Sequence, residues 1–174
     1  MKSSKIFALV AVALVSIALR TVAVGQDHAT AQEVVAKVRQ AASTLSKGGD
    51  LAQFNQKQGP WVWKDTYIFV HDCDKKVVAA HPTRPEQVGQ DISAVKDAKS
   101  GKVIIPDAAA YCKEVKDSPS GLWKEYWWPK PGEKEPSRKL SYYLSAKGTR
   151  YVVIAGVYDD KETIAEASKL SSTK

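Results

Sequence analysis

The chain has 174 residues, 26 of them basic and 19 acidic, giving a formal net charge of +7, and 44% are hydrophobic. That length suits one domain of ordinary size built around a single core. Basic and acidic residues are interspersed along it, which excludes the clustered basic face of a nucleic-acid binder.

At the N-terminus, Lys2 and Lys5 precede an apolar run from Ile6 to Leu19, and Ala23-Val24-Gly25 offers small residues for cleavage. The pattern predicts a signal peptide over 1–25. The run is shorter than the roughly 20 residues that cross a bilayer, and Arg20 closes it. No later stretch is apolar enough to span, so stable membrane insertion after processing is not expected; an uncleaved tether is the alternative. Removing 1–25 takes away Lys2, Lys5 and Arg20 and no acid, leaving 23 basic residues against 19 acidic, or +4. The remainder, 26–174, is expected to be a single periplasmic or secreted domain.

Thr30-Ala31-Gln32-Glu33 has the form of a capping box. Val34, Val35, Val38, Ala41, Ala42 and Leu45 then recur at helical spacing until Gly48-Gly49, predicting a helix from Ala31 to about Lys47. From Thr66 to Asp72 aromatic and β-branched residues predict a strand, Asp72 to Lys75 a turn, and Lys76 to Ala80 the return strand. His81-Pro82 ends it, because proline cannot donate to a ladder. From Pro82 to Asp117 there is no long periodic signal. The best helix there opens at Pro106-Asp107 and runs from Ala108 to Val115.

Three more strands are predicted: Gly121 to Trp128, Arg138 to Ser145 and Arg150 to Tyr158. A terminal helix containing Ile164 and Leu170 follows, with Asp159-Asp160 as its expected cap. The order indicates an α+β fold, an antiparallel sheet of about five strands with helices on its faces. No repeat or low-complexity tract interrupts it.

The inventory of chemistry is short. There is no Gly-x-Ser-x-Gly elbow, His-Glu-x-x-His helix or phosphate-binding glycine loop, so no catalytic residues are assigned and an enzyme is not expected. Cys73 and Cys112 lie in no Cys-x-x-Cys or haem-attachment pattern, so neither metal nor cofactor is expected. In an exported protein they fit a disulfide; two free thiols are the other reading.

Eight of the fifteen aromatic residues fall between Gly121 and Tyr158. Period-two alternation puts Tyr126 and Trp128 on one face of their strand and Trp123 and Trp127 on the other. Both faces thus carry indoles, one for packing and one for a cavity. A histidine held by the following proline, as in His81-Pro82, presents a ring N–H to an anion. Lys139 with tyrosyl hydroxyls would hold a carboxylate by charge-assisted hydrogen bonds. The plain alternative is an ordinary core with a solvated lysine.

Five motifs in register resemble the single Cache domain of the second type: Asp65 to Asp72, Val78 to Pro82 with Val88-Gly89, Tyr126 to Gly132, Lys139 to Tyr142 and Ala155 to Asp160. The resemblance implies a PAS-like antiparallel sheet behind a long N-terminal helix, and an extracytoplasmic sensor binding a small carboxylate. By matching motif it implies a ligand site of Tyr67, Phe69, His81, Tyr126, Trp128, Lys139 and Tyr142. Lys139 and Tyr142 fall on opposite faces unless their strand is bulged. Two departures stand out: Asp72-Cys73-Asp74-Lys75-Lys76 replaces a glycine turn, and His71 stands where an aromatic is common. No second membrane segment or output module follows Tyr158, which leads one to expect a stand-alone domain. Its expected partner is a small organic acid, with a membrane receptor or kinase ectodomain to receive the signal. The competing expectation is an interaction module with a collapsed pocket, acting on such an ectodomain or as a dimer.

Overall fold

A computed structural model describes residues 28–173. The expected signal peptide and its cleavage site lie outside the described residues. Helix α1 (Ala31–Ser46) starts where the capping box forms, with the Thr30 side chain accepting from Glu33 N–H and Glu33 reaching back. Two short strands, β1 (Val62–Trp63) and β2 (Thr66–Tyr67), pair as a hairpin. Then come β3 (Phe69–Asp72), β4 (Val77–Ala80), α2 (Ala108–Asp117), β5 (Leu122–Pro129), β6 (Pro136–Ser145), β7 (Tyr151–Val157) and α3 (Ile164–Ser172).

Five strands form one antiparallel sheet in the order β4-β3-β7-β6-β5. The α+β architecture is the expected one, with three differences of detail. The strand expected over Thr66–Asp72 breaks at Ile68, whose N–H turns to Trp61 O at 2.8 Å. Thr163, not Asp159-Asp160, caps α3, and forms a second capping box with Glu166. The turn after β3 does without glycine because Lys76 takes a left-handed φ of 56°. Asp72 Oδ1 braces that turn by accepting from Asp74 N and Lys75 N, each at 3.0 Å.

The sheet has two buried faces. On one, Val34, Val38 and Ala41 of α1 pack against Leu140, Tyr142, Val153 and Ala155. On the other, α2 places Tyr111 and Val115 over Tyr143, Val152 and Ile154, and Cys112 is joined to Cys73 beyond the end of β3, Cα atoms 5.7 Å apart. The non-periodic segment 82–105 covers the rest of this second face. It carries two short 3₁₀ turns, Pro85–Gln87 and Ile92–Ala94, and is tied back by Val78 N to Gln90 O and Ile92 N to Lys76 O. Among the described residues no helix is long and apolar enough to cross a membrane.

Candidate functional site

Between the second face of the sheet and segment 82–105 lies a cavity of about 30 Å³. A single water needs about 10–15 Å³ by the same measure, so there is room for roughly two water-sized groups. Alternation along β2 and β3 turns Tyr67, Phe69 and His71 toward it, while Ile68 and Val70 join the α1 face. Tyr126 and Trp128 reach it from β5, and Ile92, Val95 and Ile104 close it from above.

His81 arrives through a register shift. β3 and β4 slip between the pairs Val70↔Ala80 and His71↔Val78, leaving one extra residue at Ala79. Val78 therefore lines the cavity, Ala80 packs on the α1 face, and His81 returns to the cavity. Unbroken alternation would have put Val78 and Ala80 on one face and His81 on the other. The His81 ring is then fixed: its Nδ1 accepts the Arg84 N–H at 3.1 Å, so a neutral ring carries its proton on Nε2. Burial, with the Lys139 and Arg84 charges added, holds its pKa well below the ordinary range.

Lys139 is fully buried on β6, opposite Tyr126. Its stem crosses Gly156 of β7, where a Cβ would come within 2.4 Å of Lys139 Cε and 2.6 Å of Ser141 Oγ. The ammonium thereby reaches Tyr67, with Nζ 3.5 Å from Tyr67 Oη. Three rings surround it, their centroids 4.4 Å (Tyr67), 5.0 Å (Tyr158) and 5.5 Å (Phe69) away. Among the described residues no carboxylate lies within ion-pairing distance of Lys139 or Arg84. Burial first, then repulsion by Arg84, pushes the Lys139 pKa down to about 7; Asp65 works weakly against them. The Arg84 guanidinium rests on the Trp128 ring, 4.8 Å from its centroid.

Burial raises the pKa values of Tyr67, Tyr126, Tyr143 and Tyr158, so these remain hydroxyls. It lowers that of His71 to about 3, and His71 Nδ1 lies 3.0 Å from Tyr111 Oη. The whole lining is thus apolar or neutral, and the charges that act on His81 from behind it, Lys139 and Arg84, are cationic. Among the described residues no group of three or more His, Cys, Asp or Glu is placed to hold a metal ion.

Of the seven residues named from sequence, Tyr67, Phe69, His81, Tyr126 and Trp128 line the cavity, and Lys139 stands directly behind Tyr67. Tyr142 does not. It lies on the α1 face against Trp123, ring centroids 5.1 Å apart, and donates to Ser120 O at 2.8 Å. β6 runs unbulged in this region, so Lys139, Ser141 and Tyr143 share the cavity face and Tyr142 takes the other. Trp123 packs as expected, whereas Trp127 is only half-buried, beneath the Lys99 ammonium at 3.6 Å. Sequence reasoning missed Tyr143, which period two from Lys139 would have found. It also missed Arg84 and the Ile92, Val95 and Ile104 roof, for which no periodic signal exists.

The fold agrees with comparisons to known proteins. A family model of the Cache domain matches residues 61–163. Methyl-accepting chemotaxis protein McpP of Pseudomonas putida KT2440 is 32% identical over 96 residues, which are 55% of this chain and 16% of that protein. The chain thus spans a small fraction of that relative's length. A Cache chemosensory domain solved for its carboxylic acid recognition is 26% identical, with a TM-score of 0.52 over 72% of this chain and 86% of that one. The periplasmic sensor domain of a chemotaxis protein shares the fold at 24% identity and TM-score 0.51, over 72% and 87% of the two chains. The family match spans more than half of the 174 residues, and the chain belongs to the Cache domain family, as a single Cache domain of the second type.

Proposed function

We propose that this chain is an extracytoplasmic sensor domain whose cavity takes a small carboxylate, and that residues 1–25 direct its export. The observation that carries the reading is Lys139, a buried amine with no ion-paired acid among the described residues, behind a cavity whose Trp128 wall carries the Arg84 guanidinium. A cation buried without a counter-ion is costly, and an anionic ligand would supply the missing charge. In this reading Lys139, the Tyr67 hydroxyl and His81 Nε2–H hold the carboxylate, while Phe69 and Trp128 wall the short tail. The role is binding, not turnover, and the signal passes to a membrane receptor or kinase ectodomain.

One observation favours a second reading. A cavity of about 30 Å³ is small, as it would be in an interaction module whose pocket has collapsed. A thermal-shift screen of the purified protein against two- to four-carbon carboxylates separates the two. A ligand at 100 times its Kd stabilises by about 2.7 kcal/mol, and His81→Ala is expected to abolish that shift. Pairing with an anion also raises the Lys139 pKa above its free value of about 7, so affinity is expected to fall as pH rises beyond that point. A flat screen, with capture of a receptor ectodomain or self-association instead, overturns the sensor reading.

A further inference from the structure

We propose that Lys139 is a carbamylation site: its amine adds carbon dioxide and becomes a carbamate inside the aromatic cage beside the cavity. The inference rests on the carboxylate reading, since the groups that would hold a ligand's carboxylate would hold this one.

The amine meets the first requirement, which is to be unprotonated. A desolvated lysine beside another cation is the usual setting for a nucleophilic amine. Lys139 is fully buried, ringed by Tyr67, Phe69 and Tyr158, and faces no carboxylate among the described residues. At pH 8 an ordinary exposed lysine, with a pKa near 10.4, is only about 0.4% neutral. Burial and Arg84 bring the Lys139 pKa down to about 7, and Asp65, the one acid that opposes them, is engaged by His28 Nδ1 at 2.8 Å and Ala29 N at 2.9 Å. The charged and titratable groups facing the amine are therefore Arg84, His81, the Tyr67 and Tyr158 hydroxyls and, more weakly, Asp65.

The second requirement is stabilisation of the product. The Arg84 charge, which disfavours an ammonium, favours an anion built on the same nitrogen. Tyr67 Oη is 3.5 Å from Nζ, His81 Nδ1 accepts from Arg84 N, which leaves the proton on Nε2, and among the described residues the Arg84 guanidinium has no acid partner. The third requirement is size. The cavity lies beyond Tyr67 from Nζ, and its space for roughly two water-sized groups admits a linear three-atom molecule. Gly156 supplies the fourth, a bare floor along which the lysine stem lies.

The step balances without an oxidant or reductant. The Nζ lone pair attacks the carbon of CO₂ and the N–C bond forms. One C=O π pair moves onto oxygen, and one N–H proton passes to solvent. Neutral amine and CO₂ thus yield a carbamate anion and a proton.

The test equilibrates the protein with ¹³C-bicarbonate at pH 8 and looks for a carbamate carbon resonance, with trimethyloxonium methylation and peptide mass mapping to place it. One carbamate per chain is expected at Lys139. It should disappear in Lys139→Met and in Lys139→Arg, which keeps a cation but cannot react, and circular dichroism checks that both variants fold. The signal is expected to fall more than tenfold at pH 6, opposite to carboxylate affinity, because protonation removes the nucleophile. No resonance above that of Lys139→Met overturns the proposal, as does mapping to the α-amine or another lysine. If acetate still raises the melting temperature in that case, the sensor reading stands alone. A Lys139 carbamate without any carboxylate shift keeps this inference and removes that reading.

Discussion

The two faces of the sheet are made by the same strands, yet they handle buried polarity in opposite ways. On the α1 face two buried polar groups of the sheet find neutral partners: Tyr142 Oη donates to Ser120 O at 2.8 Å and Trp123 Nε1 to Ser171 Oγ at 3.3 Å. On the other face of β6, three residues before Tyr142, Lys139 is fully buried with one long hydrogen-bond contact among the described residues, to a tyrosine hydroxyl. The first arrangement is what a core requires. The second imposes a desolvation cost that the domain alone does not offset. The two faces of β6 therefore differ in how their buried polar groups are partnered.

The largest expected effect falls on the anchoring of the cavity face. Replacing Cys73 and Cys112 by serine opens a loop with a sequence separation of 39 and is expected to cost about 4 kcal/mol on the chain-entropy model. Urea denaturation measures it, and hydrogen exchange should show the greater loosening at α2 rather than α1. Next is Gly156→Ala, which drives a methyl into the Lys139 stem. Overpacking of this kind costs about 1–3 kcal/mol. It should also lift the Lys139 pKa toward the ordinary range, read by NMR titration, because the amine is displaced from its cage.

Lys139→Met is expected to stabilise the free protein at pH 6 by roughly 2 kcal/mol, since it removes a buried charge while keeping the volume. The folded pKa of about 7 lies below the unfolded value near 10.4. Between them the unfolded chain binds more protons, so this lysine makes stability rise with pH from about 7 toward 10. Denaturation of wild type and variant across that range should show the difference shrinking; a constant difference would count against a buried amine. The smallest effect is that of Tyr142→Phe, about 1 kcal/mol for one hydrogen bond. Ligand response should not change, and a variant that lost it would return Tyr142 to the site and blur the contrast between the faces.

Much of this was legible before the fold was known. Capping at Thr30, the spacing of Val34 to Leu45 and the aromatic and β-branched runs predicted α1 and the sheet, since these signals are local. Of the cavity-lining residues on the strands, Tyr126 and Trp128 were read from period two and Tyr67 and Phe69 from the family resemblance. Tyr142 was misplaced because matching by motif ignored the pleat, and period two favours Tyr143. Arg84, Ile92 and Ile104 were invisible for a different reason. They sit in a segment held by scattered backbone hydrogen bonds to β4, which leave no periodic pattern.

By itself, then, the sequence determined the α+β class, the order of elements and the aromatic strands that furnish the site, because hydrophobic periodicity and capping act over a few residues. The tertiary structure alone decided three things. The register shift at Ala79 turned His81 inward. The bare surface of Gly156 carried the Lys139 amine across β7 to Tyr67, and the chain from Pro82 to Ile105 folded down to enclose it. Each depends on residues far apart in the chain meeting across the sheet, where burial and the Arg84 charge lower the pKa of an otherwise ordinary lysine.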